Sequence, residues 1–203
     1  SRGAGLVVAS SAMAVGVFLA AAVFGASLAR LLSTPESYGW PWDVAAMTGS
    51  GYGDLDLAAV EETLDGRADV ASWTALGLLS DVTIDDHPVQ AVLGWEEREG
   101  VDFTVVEGRL PRADDEVALG ARTAAERGVG VGEEVDLDGP TLEPRRVTVT
   151  GIAVIPPLGQ FQADRAGPGN GMVLPLEVLG SEEEALDLLT FVGVDLTAGA
   201  DAA

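Results

Sequence analysis

An uncharged run from Gly3 to Ala29 constrains the fold of this chain more than any other feature. The run holds 27 residues, and arginines flank it at Arg2 and Arg30. An α-helix rises about 1.5 Å per residue, and about 20 apolar residues span the hydrocarbon core of a bilayer. The remaining chain is polar enough to be soluble. The sequence therefore predicts a transmembrane helix with its flanks over residues 1–32 and a water-facing domain over residues 33–203.

A cleaved signal peptide is the alternative interpretation of this run. Arg2 could be its charged start, and Ser27-Leu28-Ala29 resembles a small-residue cleavage site. The apolar region of a signal peptide covers about 7–15 residues, however, and this run is far longer. Its many Gly and Ala residues suit a helix in membrane lipid that packs against other helices. The chain also begins at Ser1 without Met, so we expect it to be a fragment of a longer protein.

Charge and composition exclude several classes of function. Residues 33–203 contain all 33 acidic residues and nine of the 11 arginines, which gives this part a net charge of −24. Such a surface repels nucleic acid and anionic head groups, so we expect no nucleic-acid partner. The only basic cluster in the sequence is Arg145-Arg146. There is no Cys, which excludes disulfides, thiolate metal ligands and a cysteine nucleophile.

The sequence nominates no catalytic, cofactor-binding or metal-binding residue, so we expect a protein that is not an enzyme and has no cofactor. His87 is the only histidine, and beside Asp85 and Asp86 it could suggest a metal site. Zinc usually takes more than one His or Cys, so we interpret His87 as the solvated tip of a hairpin. A serine nucleophile would need that same single base. The glycine-rich runs 128–132 and 167–171 match no phosphate-binding pattern and predict turns.

Strand and helix patterns alternate after the apolar run. Helices are predicted over 54–66, with Asp56 as its cap, over 121–128, and behind a capping box of Ser181 and Glu184 to about residue 189. A Gly-rich loop is predicted over 159–171. Strands are predicted over 68–79, 82–84, 88–93, 103–111, 115–120, 133–137, 145–155, 172–174 and 191–196. This order has no steady βαβ period, which favours a mixed α+β fold over a doubly wound sheet.

Four aromatic residues follow the apolar run: Tyr38, Trp40, Trp42 and Tyr52. Aromatic side chains just outside a span often lie at the membrane interface. Alternatively, these residues cover the core of the domain. The sequence leaves both interpretations open.

The order of the motifs after residue 100 resembles a known family. Glu107-Gly108-Arg109-Leu110-Pro111 is followed by Asp115 to Gly120, a short helix, the run 128–132 and the strand Val147 to Ile155. This order is similar to the extracytoplasmic core domain of FtsX-like or MacB-like ABC transporter permeases, most of all to their actinobacterial branch. The similarity covers nearly the whole chain. It rests on the order of the pieces, because each motif is short.

The resemblance implies a first transmembrane helix and an extracytoplasmic α+β domain over residues 33–203, anchored in the cell membrane. It implies structural roles only for Arg109 and Pro111, which shape a turn. A separate cytoplasmic ABC ATPase would drive the permease, which would work as a homodimer or paired permease. The domain would couple ATP-driven motion to export or to an extracellular partner. Family members have at least three further membrane helices after this domain, which we expect beyond Ala203.

Two other functions stay open on the sequence alone. One is a single-helix membrane-anchored extracellular binding module with no role in transport. The other is a secreted hydrolase that uses two carboxylates as acid and base. Among 33 acidic residues some pair will always lie close together, so the sequence favours no particular pair.

Overall fold

A computed structural model describes residues 2–48, 55–96, 103–158, 166–181 and 186–199. The chain divides between Pro35 and Glu36 into two compact units. The first is helix α1 (Arg2–Leu32), whose segment Val15–Leu32 has a mean hydropathy of 2.0 and no buried residue. Length and composition would let this segment cross a membrane. The hydroxyls of Ser33 and Thr34 donate to the Arg30 carbonyl oxygen at 2.9 and 2.8 Å, and Pro35 follows, so the helix ends here.

The second unit is built on one mixed sheet of nine strands in the described part of the chain. Across the sheet the order is β1-β9-β2-β3-β8-β5-β7-β4, and β6 pairs with β2 and β7 beside this path. The pairs β3–β8 and β5–β7 are parallel and the others antiparallel. The strands are β1 (Val44–Met47), β2 (Val70–Ile84), β3 (His87–Glu96), β4 (Val105–Gly108), β5 (Glu116–Gly120), β6 (Glu134–Gly139), β7 (Leu142–Ala153), β8 (Met172–Pro175) and β9 (Leu189–Leu196). The predicted α+β class is confirmed.

Two short helices flank the sheet, α2 (Leu57–Leu64) and α3 (Ala121–Arg127). The carboxylate of Asp56 accepts a hydrogen bond from the Ala59 N–H at 3.1 Å, as the predicted cap of α2. Helix α3 ends at Gly128, where φ is 70°. Single 3₁₀ turns cover Pro35–Tyr38 and Leu176–Leu179.

The last predicted helix is present at residues 186–187, and it ends just short of the predicted bound because β9 already begins at Leu189. Its capping residue Glu184 lies outside the described residues, as do residues 159–165 of the predicted loop. Ser181 is described and lies in no regular element. The end of this segment therefore belongs to the sheet rather than to a helix.

The predicted break between strands 68–79 and 82–84 is wrong. Strand β2 continues through 15 residues to Ile84, with a register shift against β3 between Leu79 and Val82. Asp85 and Asp86 form a two-residue turn with φ of 48° and 63°, as a type I′ hairpin requires. His87 pairs with Ile84 as the first residue of β3. It is exposed as predicted, although it lies just after the turn.

The core contains a separate aromatic cluster, formed by Trp40, Trp42, Phe103 and Phe191. Trp42 is 4% exposed and its ring centroid lies 4.9 Å from that of Phe191. Trp40 is half-buried and packs edge to face on Trp42, with centroids 5.5 Å apart. The core interpretation is therefore confirmed for Trp40 and Trp42. Tyr38 is half-buried in its 3₁₀ turn, and Tyr52 lies outside the described residues.

Candidate functional site

The motif residues Glu107 to Pro111 lie where the edge strand β4 ends against β7. The Arg109 N–H donates to the Thr150 carbonyl oxygen at 2.9 Å. A side chain at Gly108, where φ is 72°, would collide with that same carbonyl, and one at Gly151 would collide with the Arg109 carbonyl. The two backbones thus approach more closely than a Cβ atom allows. The glycine of the motif is required by this approach.

The side chain of Arg109 joins the turn after β4 to Glu116, the first residue of β5. We call this contact the Arg109–Glu116 corner. Its two terminal nitrogens donate to the two carboxylate oxygens of Glu116. The backbone N–H of Arg112 donates to the same carboxylate at 2.8 Å. The Arg109 guanidinium, assisted by this N–H, lowers the pKa of Glu116 to about 2. A bidentate pair of this kind fixes geometry as well as charge.

Sequence reasoning identified Arg109 and Pro111 as turn residues and missed Glu116 as the partner. The only local signal is that an acid opens the strand Glu116–Gly120 seven residues after the arginine. The chain offers 33 acids, and only the fold selects the one that Arg109 meets. Glu116 is therefore a structural group, and both of its carboxylate oxygens already accept hydrogen bonds.

A groove of about 520 Å³ lies beside this corner. Phe103, Leu110 and Val173 give it apolar walls, and Arg112 and Glu177 bring opposite charges to it. The side chain of Arg112 is exposed and forms no ion pair with an acid in the described ranges. The volume falls within the roughly 300–1,000 Å³ of small-molecule sites. Phe103 and Val173 are buried, so most of the surface that faces the groove is polar. Among the described residues, the lining brings no nucleophile and base together.

The other groups considered in the sequence have structural surroundings. The Nδ1 atom of His87 lies 2.6 Å from the Asp85 carbonyl oxygen. Within the described residues, no three His, Asp or Glu side chains are grouped so that they could hold a metal ion. Arg145 forms an ion pair with Asp114 at 2.9 Å. Arg146 likewise pairs with Asp136 at 3.1 Å, so the two arginines do not present a free basic patch.

One half-buried carboxyl group lies where β1, β9 and β2 meet. The Ser72 hydroxyl donates to the Asp195 carboxylate at 3.3 Å. Burial raises the pKa of Asp195, and the nearby charge of Asp43 raises it further. Asp43 itself accepts a hydrogen bond from the Leu196 N–H at 2.9 Å. The pair ties the ends of adjacent strands together and faces no basic residue that could complete an acid–base site in the described chain.

The two glycine-rich runs are turns, as predicted. The Gly132 N–H donates to the Val149 carbonyl oxygen at 2.8 Å, and the run leads into β6. Gly167 and Asn170 exchange backbone hydrogen bonds at 3.2 and 2.8 Å. Both runs therefore change the direction of the chain, and their backbone N–H groups form hydrogen bonds that stabilise these turns.

Known proteins resemble this chain in sequence and in fold. A sequence model for the MacB-like periplasmic core domain matches residues 3–203. No curated protein matches. Similar solved structures include a domain of a permease protein from Porphyromonas gingivalis, with 19% identity, a TM-score of 0.48, and coverage of 74% of this chain and 70% of that chain.

Two further solved structures are similar at the same level. The extracellular domain of the noncanonic ABC-type transporter YknZ from Gram-positive bacteria shares 15% identity at a TM-score of 0.45, with 83% of this chain and 78% of that chain covered. The periplasmic region of MacB from Actinobacillus actinomycetemcomitans shares 14% identity at a TM-score of 0.45, with coverage of 71% and 66%.

Proposed function

We propose, from the premise that this chain belongs to the MacB-like periplasmic core domain family, that its domain couples ATP-driven motion in a permease to events outside the membrane. The chain is the extracytoplasmic domain of an FtsX-like or MacB-like ABC transporter permease, with an apolar helix before it. One observation carries the proposal. The family match begins at residue 3 and so includes the helix together with the domain.

The family implies a cytoplasmic ABC ATPase as the partner that supplies the motion. Helix α1 has 31 residues, which corresponds to a rod about 46 Å long at 1.5 Å per residue. Only residues 33–35 separate it from the second unit, and Pro35 restricts the backbone within that link. A short, restricted link transmits displacement better than a long flexible one. These features favour α1 as the element that passes motion to the sheet.

The remaining contacts follow from the same proposal. Helix α1 exposes apolar side chains over Val15–Leu32, which suits contact with membrane lipid. We propose two such permease subunits per transporter, as a homodimer or a pair. We place the contact with an exported molecule or an extracellular partner at the groove beside Arg112, because this cation has no acidic partner among the described residues.

We assign no catalysis to the chain itself. Glu116 is held by Arg109, and His87 is exposed at a hairpin without a charged partner among the described residues. In this account the chemical energy comes from the ATPase and the domain only moves. The absence of Cys from the sequence makes the motion measurable with introduced thiols.

The test is a distance measurement between spin labels in the permease reconstituted with its ABC ATPase. One label is placed on α1 at Leu28→Cys and one on β7 at Glu143→Cys, and labelled subunits are diluted with unlabelled ones. We expect the distance distribution to shift when an ATP analogue is added. The control pair Glu143→Cys with Glu177→Cys lies within the domain and should not shift. If the distance between the labels on α1 and β7 does not change when nucleotide is added, the result would favour a single-helix membrane-anchored extracellular binding module.

A further inference from the structure

Helix α2 packs on the sheet without burying any of its own residues. In the chain it lies between β1 and β2, which run in the same direction because each pairs antiparallel with β9. A connection between parallel strands usually carries a helix that covers one face of the sheet. Four apolar residues of α2 and its N-terminal flank contact the core cluster that contains Trp73 and are only half-buried: Leu55, Leu57, Val60 and Leu64.

The sequence of α2 gives this helix little stability of its own. It has eight residues, and isolated helices shorter than about 12–15 residues are marginal in water. Glu61, Glu62 and Asp65 lie at its C-terminal end, and its last turn contains no basic residue. Negative charge is unfavourable there, because the carbonyl end of a helix carries a partial negative charge. Helix α2 therefore depends on its contact with the sheet.

Helix α3 is equally short but is held much more firmly. It buries Thr123 and Ala124. The Thr123 hydroxyl accepts a hydrogen bond from the Gly171 N–H at 2.9 Å, and the Thr123 N–H donates to the Gly169 carbonyl oxygen at 3.1 Å. Arg127 lies in its last turn, where a cation is favourable. Helix α3 therefore serves as the reference for α2 within the same domain.

A hydrogen bond joins the C-terminal end of α2 to the sheet. The indole N–H of Trp73, on β2, donates to the Asp65 carboxylate at 3.2 Å. Trp73 is fully buried and Asp65 is exposed, so a surface carboxylate satisfies a buried donor. Gly66 follows, and a Cβ atom there would meet nothing within 4 Å, which leaves the backbone room to rotate. The chain is fixed again at Asp69, whose carbonyl oxygen accepts from the Thr197 N–H at 2.9 Å.

We infer that α2 is a hinged cover over Trp73, which the Asp65–Trp73 hydrogen bond holds closed and which opens as a unit at Gly66 while the sheet stays folded. Elements with few buried apolar contacts open at a lower free energy than the core. Asp65 weakens the helix by its charge and closes the cover by its contact with Trp73, so the contact accounts for an acid at this position. This inference concerns a motion within the domain and does not depend on the proposed role in transport.

Hydrogen exchange of the 203-residue chain in phospholipid nanodiscs measures the opening. We expect protection factors at least about tenfold lower for the amides of residues 61–64 than for those of residues 125–128 at the end of α3. Low urea should change the α2 values little, because a local opening exposes little surface. Equal protection of the two helices would mean that α2 does not open separately and would overturn the inference.

The indole N–H of Trp73 separates opening of the cover from fraying of the helix. It is identified as the nuclear magnetic resonance signal that Trp73→Phe removes. After correction for intrinsic exchange rates, this N–H should show the same opening equilibrium as the α2 amides. If the indole stays protected while the α2 amides exchange, α2 only frays and the inference is wrong.

Replacing Asp65 tests the closing contact, because helix stability and the contact predict opposite results. Asp65→Ala removes an acid from the C-terminal end, which alone would strengthen the helix, but loss of the bond to Trp73 should lower the protection of α2 about fivefold. Asp65→Asn keeps an oxygen acceptor and should stay near the parent chain. The exposed Glu62→Gln is the matched control and should not lower protection. Unchanged protection of α3 shows that each variant is folded, and equal or higher protection of α2 in Asp65→Ala would overturn the inference.

Discussion

Different interactions stabilise the two ends of the sheet. At the β1 end, buried aromatic rings hold the strands, and Gly193 on β9 leaves room for Trp42, since a side chain there would collide with the indole. At the β4 end, close backbone contact and a bidentate ion pair hold the exposed strand β4 and the turn that follows it. At the β1 end, burial of side chains holds the strands in place. At the β4 end, backbone contact and an ion pair hold the edge strand itself.

The carboxyl groups of the two ends differ in the same way. Arg109 stabilises the charged form of Glu116 and lowers its pKa to about 2. Burial disfavours the charged form of Asp195 and raises its pKa. Acid should therefore weaken the β4 end and strengthen the β1 end.

Removing Trp42 should damage the β1 end most. Trp42→Ala leaves a cavity among Trp40, Phe103 and Phe191, and large-to-small changes of this type cost about 3–5 kcal/mol in the free energy of unfolding. Urea denaturation followed by near-ultraviolet circular dichroism measures the loss. Trp42→Phe is the matched control and should cost less, because it keeps a ring and removes a buried N–H that has no partner in the described residues. Equal losses would show that ring packing does not hold this end.

A side chain at Gly151 should break the backbone contact at the β4 end. Gly151→Ala forces a Cβ atom into the Arg109 carbonyl, and overpacking of this type costs about 1–3 kcal/mol. Thermal unfolding measures the cost. Gly66→Ala is the matched control, because a Cβ atom there meets nothing within 4 Å. If Gly151→Ala unfolds at the same temperature as the parent chain, the close approach of β4 and β7 is refuted.

Neutralising Glu116 should have a smaller effect on the same end. Glu116→Gln keeps the shape and loses the charge-assisted bonds to Arg109, which we expect to cost about 1 kcal/mol at this partly exposed site. The folded pKa lies below the ordinary 4.5. The stabilisation is therefore present above about pH 4.5 and lost as pH falls towards 2, and the variant lacks this dependence.

A second ion pair gives the control for Glu116. Arg122 and Glu126 are exposed and four residues apart on α3. Such pairs contribute about 0.3–0.5 kcal/mol, so Glu126→Gln should change the urea midpoint little between pH 3 and pH 7. If Glu116→Gln and Glu126→Gln change the urea midpoint equally at each pH, the bidentate Arg109–Glu116 pair stabilises the fold no more than an exposed ion pair does.

Replacing Asp195 should give the smallest change, with the opposite dependence on pH. Its folded pKa lies above the unfolded value, so its contribution is fully present below that value and lost as pH rises through the folded pKa. Asp195→Asn should therefore be more stable than the parent chain at pH 7 and indistinguishable from it in acid. The exposed Asp187→Asn is the control. A less stable Asp195→Asn at pH 7 would mean that the charged form is the favoured one.

Local patterns predicted the local elements of this fold. The cap at Asp56, the helix ended by Gly128 and the turn at Asp85-Asp86 depend on neighbours within a few residues. The order of motifs from Glu107 onward identified the family. These features are visible in one sequence because their physical causes lie close together along the chain.

The long-range features could not be predicted from the sequence. Trp42 meets Phe191 across about 150 residues, and nothing in either segment decides between a core and an interfacial role. The parallel pairing of β3 with β8 also joins distant segments. For the site, Arg109 was identified and Glu116 was not, since any of many acids could have served. The position of β1 at one end of the strand order, among the described residues, is known only once the pairing of the strands is known.

Labelling from outside intact cells shows whether an apolar helix anchors an extracytoplasmic domain. The chain has no Cys, so Glu143→Cys on β7 and Arg2→Cys at the first residue of α1 each give a single thiol to a membrane-impermeant maleimide. We expect Glu143→Cys to be labelled in intact cells and Arg2→Cys to be labelled only after lysis. Protection of Glu143→Cys until lysis would place the acidic domain in the cytoplasm and rule out an extracytoplasmic domain.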